Sequence, residues 1–160
     1  MVAVKAVVIT ISDRVSRGEA EDRSGPAAVA ALEAIGFSSD LFVVSDGVAE
    51  VEAGLRRALA TDPDLVVTTG GTGMAPRDTT PEATRNIIER EAPGLSEAMR
   101  SATFGARPHG MLSRGVSGIV GATLIINLPG SVSGVTESLE VVAGALPHAV
   151  AVLRDRPSDH

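Results

Sequence analysis

Three glycines in four positions, Gly70-Gly71-Thr72-Gly73, follow an apolar run and precede a predicted helix. Glycine lets backbone N–H groups turn inward and approach an anion closely, and the N-terminus of the next helix adds its positive dipole end. Phosphate is the natural ligand of such a loop. The chain lacks the lysine of a P-loop, since its only lysine is Lys5, and Pro76 stands where a dinucleotide fingerprint needs a third glycine. A tight strand-to-helix connection without a ligand stays open as the alternative.

Apolar periodicity predicts the strands and helices that must position this loop. A run rich in β-branched residues predicts a buried strand at 2–11, and shorter apolar runs predict strands at 41–44, 65–68 and 124–128. Helical spacing predicts one helix from Ser24, its N-cap, to Gly36 and a second over 48–59. Two more are predicted to begin at Thr80 and after Pro93-Gly94. From Val135 onward the pattern predicts two C-terminal helices divided by Pro147. The polar stretch 14–23 predicts a loop, and 111–113 with 116–120 predict a hairpin around Arg114-Gly115.

Strands that alternate with helices predict an α/β fold, a three-layer α/β/α sandwich with a mostly parallel central sheet and a small antiparallel hairpin. We expect a single domain over 1–160, with a frayed tail at 154–160. In such sheets ligands bind beyond the carboxyl ends of the strands. We therefore expect the segments after those ends to share one rim: 12–13, 45–47, 70–78 and 129–131.

The composition argues against several function classes. The 14 Lys and Arg residues against 20 Asp and Glu give a net charge of −6, and the only aromatic residues are three Phe. The chain thus lacks both the basic footprint and the stacking platform of a nucleic-acid-binding protein. It contains no Cys, which excludes thiolate nucleophiles and Cys-ligated metals. No apolar run has the length of a membrane span and the N-terminus lacks a signal-peptide pattern, so we expect a cytoplasmic protein without membrane contact.

The sixteen residues 69–84, TGGTGMAPRDTTPEAT, resemble the molybdopterin-binding signature of the MoaB/Mog family. The members of that family are the molybdopterin adenylyltransferases of molybdenum cofactor biosynthesis. The stretches ISDR at 11–14 and DRSGP at 22–26 are similar to the family's N-terminal loop, and NLPGS at 127–131 is similar to its C-terminal glycine loop. The resemblance covers essentially the full chain, in the same order.

The resemblance implies a molybdopterin-binding domain that uses MgATP and molybdopterin to form adenylyl-molybdopterin and pyrophosphate. It implies that Asp46 and Asp78 are catalytic and that both bind Mg²⁺. Both substrates are anionic, so charge neutralisation and positioning supply most of such catalysis, and Mg²⁺ prefers carboxylate oxygens. It also implies a homotrimer and possible contact with a separate, downstream metal-insertion protein.

Twelve further loop residues are our candidates for binding ATP or molybdopterin. They are Ser12, Asp13, Ser24, Gly25, Gly70, Gly71, Thr72, Gly73, Arg77, Pro129, Gly130 and Ser131. Their hydroxyls, a guanidinium and the exposed backbone of the glycines suit phosphate and pterin groups. Arg77 could equally be a solvated arginine.

Each aspartate also has a structural explanation. Asp46-Gly47 is a common turn pair, and Asp46 could cap the helix that follows. Asp78 could fold an Asx-turn before the helix predicted from Thr80, and Glu82 would lie in the first turn of that helix. Two alternative functions accompany these explanations. One is a non-catalytic molybdopterin-binding or assembly paralog, and the other is a different enzyme on the same fold.

Overall fold

A six-stranded mixed sheet forms the centre of the computed structural model, which describes residues 3–104 and 106–157. The strands are β1 (Val4–Ile11), β2 (Phe37–Val44), β3 (Leu65–Thr69), β4 (Arg90–Glu91), β5 (Ser117–Val120) and β6 (Thr123–Leu128). Their spatial order is β2-β1-β3-β6-β5-β4. The first four strands of that order are parallel, whereas β5 is antiparallel to β6 and β4 to β5. The predicted mostly parallel sheet with a small antiparallel part is confirmed.

Seven α-helices of the described residues cover the two faces of the sheet. They are α1 (Asp13–Ser16), α2 (Ser24–Glu33), α3 (Val48–Leu59), α4 (Thr80–Ile87), α5 (Pro93–Ser101), α6 (Val132–Val142) and α7 (Leu146–Leu153). A 3-10 helix spans Pro108–Leu112. Helices α3 and α4 pack on one face, and α2, α5, α6 and α7 pack on the other. The predicted three-layer α/β/α sandwich is therefore confirmed.

The core consists of two apolar clusters separated by the sheet. Successive residues of β1 alternate between them, because side chains of a strand point to opposite faces: Val8 belongs to the cluster on the side of α2, and Ile9 to the cluster on the side of α3. Both side chains are fully buried. A strand covered on both faces has no solvent side, which explains the continuous apolar runs in the sequence.

The hairpin predicted from the sequence pairs the wrong segments. Residues 111–113 belong largely to the 3-10 helix that begins at Pro108, and β5 instead pairs with β6 through a turn. Gly121 in that turn has φ +56°, a conformation that favours glycine. The two-residue strand β4 was not predicted, because two residues are too few to show a periodicity.

The N-terminal loop differs from the prediction in two places. Residues 13–16 form a helical turn, α1, capped by the Ser12 hydroxyl, which accepts a hydrogen bond from Val15 N at 3.2 Å. Ser24 is not the N-cap of α2. Its hydroxyl hydrogen-bonds to Thr69 Oγ1 at 2.9 Å, and Asp22 Oδ1 instead accepts from Gly25 N at 3.0 Å.

The tail that we expected to fray is held in place at its first residues. The Arg154 and Arg156 side chains lie 3.2 Å and 3.0 Å from Asp64 Oδ1, whose side chain is 3% exposed. Asp64 Oδ2 also accepts a hydrogen bond from Lys5 N at 2.8 Å. Residues 158–160 of the predicted tail lie outside the described residues.

No single helix of the described chain is long and apolar enough to cross a membrane, and the α6–α7 pair that passes that test together is bent by 66°.

Candidate active site

The carboxyl ends of four parallel strands bring separate loops to one rim. In the register of the sheet, Ile11 lies beside Val44, and Thr69 lies between Thr10 and Leu128. The loops that follow β1, β2, β3 and β6 all begin at this edge. In open α/β sheets this is the edge where ligands bind. The four segments expected to share a rim do so.

Asp13, Asp46 and Arg77 form an ion cluster at the rim. Asp13 N donates to Asp46 Oδ2 at 2.9 Å, and Asp46 N donates to Asp13 Oδ1 at 3.2 Å. Arg77 donates to both carboxylate oxygens of Asp13 and to the Asp46 carbonyl oxygen, the latter at 2.8 Å. The hydrogen bond from Arg77 lowers the pKa of Asp13. Burial raises the pKa of Asp46, and the charges of Asp13 and Asp78 raise it further.

The segment 70–78, here called the glycine loop, lies against the aspartates. Gly71 has φ +68°, and a Cβ atom there would be 2.2 Å from Thr80 Oγ1 and 3.3 Å from Asp46 Oδ1. A Cβ atom at Gly73 would be 2.8 Å from Asp78 Oδ2. Glycine at these two positions lets both carboxylates approach the loop without a shift, and the positive φ of Gly71 also favours glycine. The loop therefore brings one oxygen of Asp46 and one of Asp78 to its own backbone.

Asp78 holds a turn inside the glycine loop. Its Oδ2 accepts a hydrogen bond from Ala75 N at 3.0 Å, and its backbone N donates to Ala75 O at 2.9 Å. Asp78 is thus a turn residue, but its side chain bonds back to Ala75 and not forward in the Asx-turn predicted before the next helix. The half-buried carboxylate still borders the loop. A turn residue that presents a carboxylate to an anion loop can both shape the loop and bind a cation there.

Arg114 reaches the glycine loop from the segment between the 3-10 helix and β5. Its Nε donates to Gly73 O at 2.8 Å, its Nη2 donates to Asp78 O, and its guanidinium pairs with the Glu82 carboxylate. This pairing lowers the pKa of Glu82 and raises that of Arg114. The sequence pattern predicts a hairpin turn at Arg114 and gives no indication of this role. A single sequence carries no signal that separates an arginine folded back on a loop from a solvated one.

Two clefts open beside the rim and share Ser131. The smaller one, about 390 Å³, is lined by Ser12, Ser24, Gly130 and Ser131 among others. The larger one, about 970 Å³, is lined by Thr72, Gly73, Pro129 and Ser131 among others. Cavities of roughly 300–1,000 Å³ hold ligands the size of a nucleotide or a drug. The Ser131 hydroxyl caps α6 by accepting from Gly134 N at 3.0 Å.

The chain is similar to proteins of known families over nearly its whole length. A family model described as "Probable molybdopterin binding domain" matches residues 7–148. The chain belongs to this molybdopterin binding domain family. It is 40% identical to a molybdopterin adenylyltransferase of Helicobacter pylori (strain J99), over 91% of this chain and 85% of that protein. It is 39% identical to gephyrin of Dictyostelium discoideum over 94% of this chain.

Solved structures show the same fold. The molybdopterin biosynthesis enzyme MoaB of Thermus thermophilus superposes with a TM-score of 0.90 and 42% identity, over 98% of this chain and 99% of that one. Several curated relatives are much longer than this chain. The chain spans 22% of gephyrin and 25% and 50% of two further relatives, from Drosophila melanogaster and Synechococcus elongatus.

The predicted site residues of this molybdopterin binding domain divide into three groups. Asp13, Asp46 and Arg77 form the ion cluster, and the glycine loop lies next to it. Ser12, Ser24, Ser131, Pro129 and Gly130 line the clefts. Gly25 and Gly70 have packing roles, since a Cβ atom would be 2.3 Å from Thr10 Oγ1 at Gly25 and 2.4 Å from Ile11 O at Gly70.

Mg²⁺ fits the chemistry of the two aspartates. No group of three or more His, Asp or Glu side chains within the described part of the chain is arranged to enclose a metal ion. Mg²⁺ does not require such a cage, because it is commonly bound by one or two carboxylates together with substrate phosphates and water. Asp46, next to Gly71, and Asp78, at the end of the same glycine loop and next to Gly73, have the donor atoms for such a pair.

Proposed function

We propose that this chain is a molybdopterin adenylyltransferase of molybdenum cofactor biosynthesis. The proposal rests on one observation above all: Asp46 and Asp78 converge on the glycine loop, whose residues Thr72 and Gly73 line the larger cleft. The reaction joins two anionic substrates, and it needs both a phosphate cradle and a means of neutralising charge. The rim supplies the residues for each. The name of the Helicobacter pylori relative supports this activity.

In the proposed reaction, an oxygen of the terminal phosphate of molybdopterin attacks the α-phosphorus of ATP. The bond from that phosphorus to the oxygen bridging it to the β-phosphate breaks, and pyrophosphate leaves with the electron pair. Mg²⁺ bound by Asp46 and Asp78 would neutralise phosphate charge as the bond breaks. The backbone N–H groups of the glycine loop cradle a phosphate, and the N-terminus of α4 adds its dipole.

Two clefts accommodate two substrates. The smaller cleft presents the Ser12 and Ser24 hydroxyls, and the larger one extends from the glycine loop to α6. Ser131 borders both, so ligands in the two clefts would meet at the loop after β6. Holding both reactants in one geometry makes the transfer effectively intramolecular, which is the largest contribution that positioning can make.

A second candidate function is a carrier that binds molybdopterin without transferring AMP. The hydrogen bonds that Asp46 and Asp78 already make favour it, because Asp46 Oδ2 accepts from Asp13 N and Asp78 Oδ2 accepts from Ala75 N. A carrier needs the clefts and the loop but no Mg²⁺ between the aspartates. Pyrophosphate release separates the two functions.

The test is pyrophosphate release by the purified chain with MgATP and freshly prepared molybdopterin, beside a reaction without the pterin. We expect release only when the pterin is present. Molybdopterin binding with no pyrophosphate would support the carrier and overturn the transferase. Pyrophosphate at the same rate in both reactions would indicate a different enzyme on this fold.

Assembly and location are part of the same proposal. We infer a homotrimer, in support of which Phe104, Met111 and Leu112 leave 59%, 56% and 45% of their surface exposed in the single chain. Sedimentation equilibrium at micromolar concentration would give three times the 16.3 kDa chain mass, and the chain mass itself would contradict this. The proposed location is the cytoplasm, and the proposed recipient of the product is a separate metal-insertion protein.

A further inference from the structure

The Arg114 guanidinium bridges the glycine loop from Gly73 to its last residue, Asp78. It contacts the carbonyl oxygens of Gly73 and Asp78, and the Arg114 backbone N donates to Thr72 O at 2.8 Å. One residue thus binds three carbonyl groups of the loop, and its fourth partner, Glu82, lies in the first turn of α4. The loop and the start of α4 are tied together through this side chain.

Arg114 is itself held by its neighbours. Arg100 Nη1 donates to Gly115 O at 2.7 Å, and Asn127 Oδ1 accepts from Val116 N at 3.1 Å. The Asn127 amide nitrogen also donates to Thr68 Oγ1 and Thr84 Oγ1, each at 3.0 Å. The segment that carries Arg114 is therefore fixed to β6, and through it to β3 and α4, rather than free to move with solvent.

Holding the carbonyl oxygens has a consequence for an anion. A carbonyl oxygen turned toward a phosphate repels it, whereas a backbone N–H attracts it. While the guanidinium binds the oxygens of Gly73 and Asp78, these cannot rotate toward the site. The same contact fixes the backbone of Asp78 and so its carboxylate. An error of about 1 Å in such a group can lower a rate by a factor of about a hundred.

We propose that Arg114 is a positioning residue for AMP transfer, which sets the glycine loop and Asp78 without touching either substrate. This inference rests on the proposed function. A positioning role and a purely stabilising role require different properties of the side chain. The loop contacts need the planar fork of a guanidinium, but the ion pair with Glu82 needs only a positive charge.

Two variants separate the fork from the charge. Arg114→Lys keeps a cation beside Glu82 and loses the fork, whereas Glu82→Gln removes the ion pair and leaves the arginine contacts to Gly73 and Asp78. Arg56→Gln is the matched control, because Arg56 pairs with Glu52 on the surface of α3. Each variant is assayed for pyrophosphate release, giving kcat and KM for ATP, and for hydrogen–deuterium exchange of the amides of 70–80.

We expect Arg114→Lys to lower kcat on the order of ten- to a hundredfold and to speed amide exchange in the glycine loop. Glu82→Gln should lower kcat less than about threefold and leave loop exchange close to wild type, and Arg56→Gln should change neither. Wild-type kcat and loop exchange in Arg114→Lys would overturn the proposal, as would a larger loss in Glu82→Gln than in Arg114→Lys.

The exchange measurement keeps this inference separate from the proposed function. If the wild-type chain releases no pyrophosphate, the transferase proposal fails and the rates carry no information about Arg114. Faster loop exchange in Arg114→Lys but not in Glu82→Gln would still establish the positioning of the loop. Equal exchange in wild type and Arg114→Lys would refute it whatever the activity.

Discussion

At the scale of single residues, the same carboxylates serve the fold and the proposed chemistry. Asp46 accepts the Asp13 N–H, and Asp78 accepts the Ala75 N–H, so each shapes a loop as well as facing it. Both bonds use an oxygen as acceptor and do not require a negative charge. An asparagine can therefore replace each aspartate in its structural role, but it cannot replace a carboxylate that binds Mg²⁺.

We expect Asp46→Asn and Asp78→Asn each to lower the rate of pyrophosphate release on the order of a hundredfold or more, because each removes charge stabilisation of the transition state. Unfolding temperatures should stay close to wild type. Asp40→Asn, a change at an exposed position of β2, is the matched control and should retain the wild-type rate. Wild-type turnover in both aspartate variants would contradict the roles given to them.

The Glu82–Arg114 ion pair predicts a pH dependence of stability. Arg114 lowers the pKa of Glu82 in the folded chain, so the pair stabilises the fold above the unfolded pKa of about 4.3. The stabilisation is lost as the pH falls through the lowered, folded pKa. We expect Glu82→Gln to lower the free energy of unfolding by about 0.5 kcal/mol at about pH 7, a small amount because both side chains of the pair are partly exposed. The difference between the two proteins should shrink as the pH approaches about 3. Urea unfolding of both proteins across this range measures it, and a difference that grows toward acid would contradict it.

At the scale of elements, most of the architecture follows from the sequence pattern. The buried strands β1, β3 and β6 and the amphipathic α3 follow from apolar periodicity, and their predicted positions agree with the structure within two residues. The edge strand β2 begins four residues before the predicted 41–44, because its first half is largely polar. The other exceptions are places where a side chain found a partner distant in sequence. Ser24 bonds to Thr69 instead of capping its helix, and Arg114 binds the glycine loop instead of a hairpin turn.

The candidate site was predictable in its loops but not in its internal contacts. A strand end followed by glycines marks an anion loop, so the rim could be assembled from spacing alone. The reciprocal hydrogen bonds of Asp13 and Asp46 join residues 33 apart in the chain, and the Arg77–Asp13 pair spans 64. Such pairings depend on sheet register and loop conformation, which periodicity does not encode.

The glycine loop and the start of α5 give a matched pair of substitutions. Gly71→Ala places a Cβ atom 2.2 Å from Thr80 Oγ1 at φ +68°, a conformation that costs an L-residue about 1–2 kcal/mol before the clash is counted. Gly94→Ala meets no atom within 4 Å. We expect thermal unfolding to occur several degrees lower for Gly71→Ala and at or above the wild-type temperature for Gly94→Ala. Equal temperatures would show that the loop relaxes around a methyl group.

At the scale of the whole molecule, the two edges of the sheet have different tasks. The carboxyl edge carries the rim, whereas the amino edge carries Asp64, which joins β1 to the residues after α7 through Arg154 and Arg156. A carboxylate that is only 3% exposed lowers the stability of the fold if it has no partner. The contacts of Asp64 with β1 and with the two arginines therefore stabilise the fold together. They close the far end of the sandwich.

We expect Asp64→Asn to lower the free energy of unfolding by about 2 kcal/mol, since it removes the buried charge that two arginines share. Asp62→Asn is the control. Its side chain is 82% exposed, so the loss of its ion pair with Arg154 should lower the free energy of unfolding by much less than the change at Asp64 does. Urea denaturation measures both. An equal loss in the two variants would show that burial does not distinguish the two carboxylates.

The position of both ends of the described chain at the amino edge determines where a label or a surface can be attached. The first described strand starts there at Val4, and the arginines after α7 return to the same place, while the glycine loop and the smaller cleft lie at the opposite edge. A fluorophore, an affinity handle or a sensor chip joined at either end of the described chain would thus face away from entering ligands. Immobilised protein should bind nucleotide as freely as protein in solution.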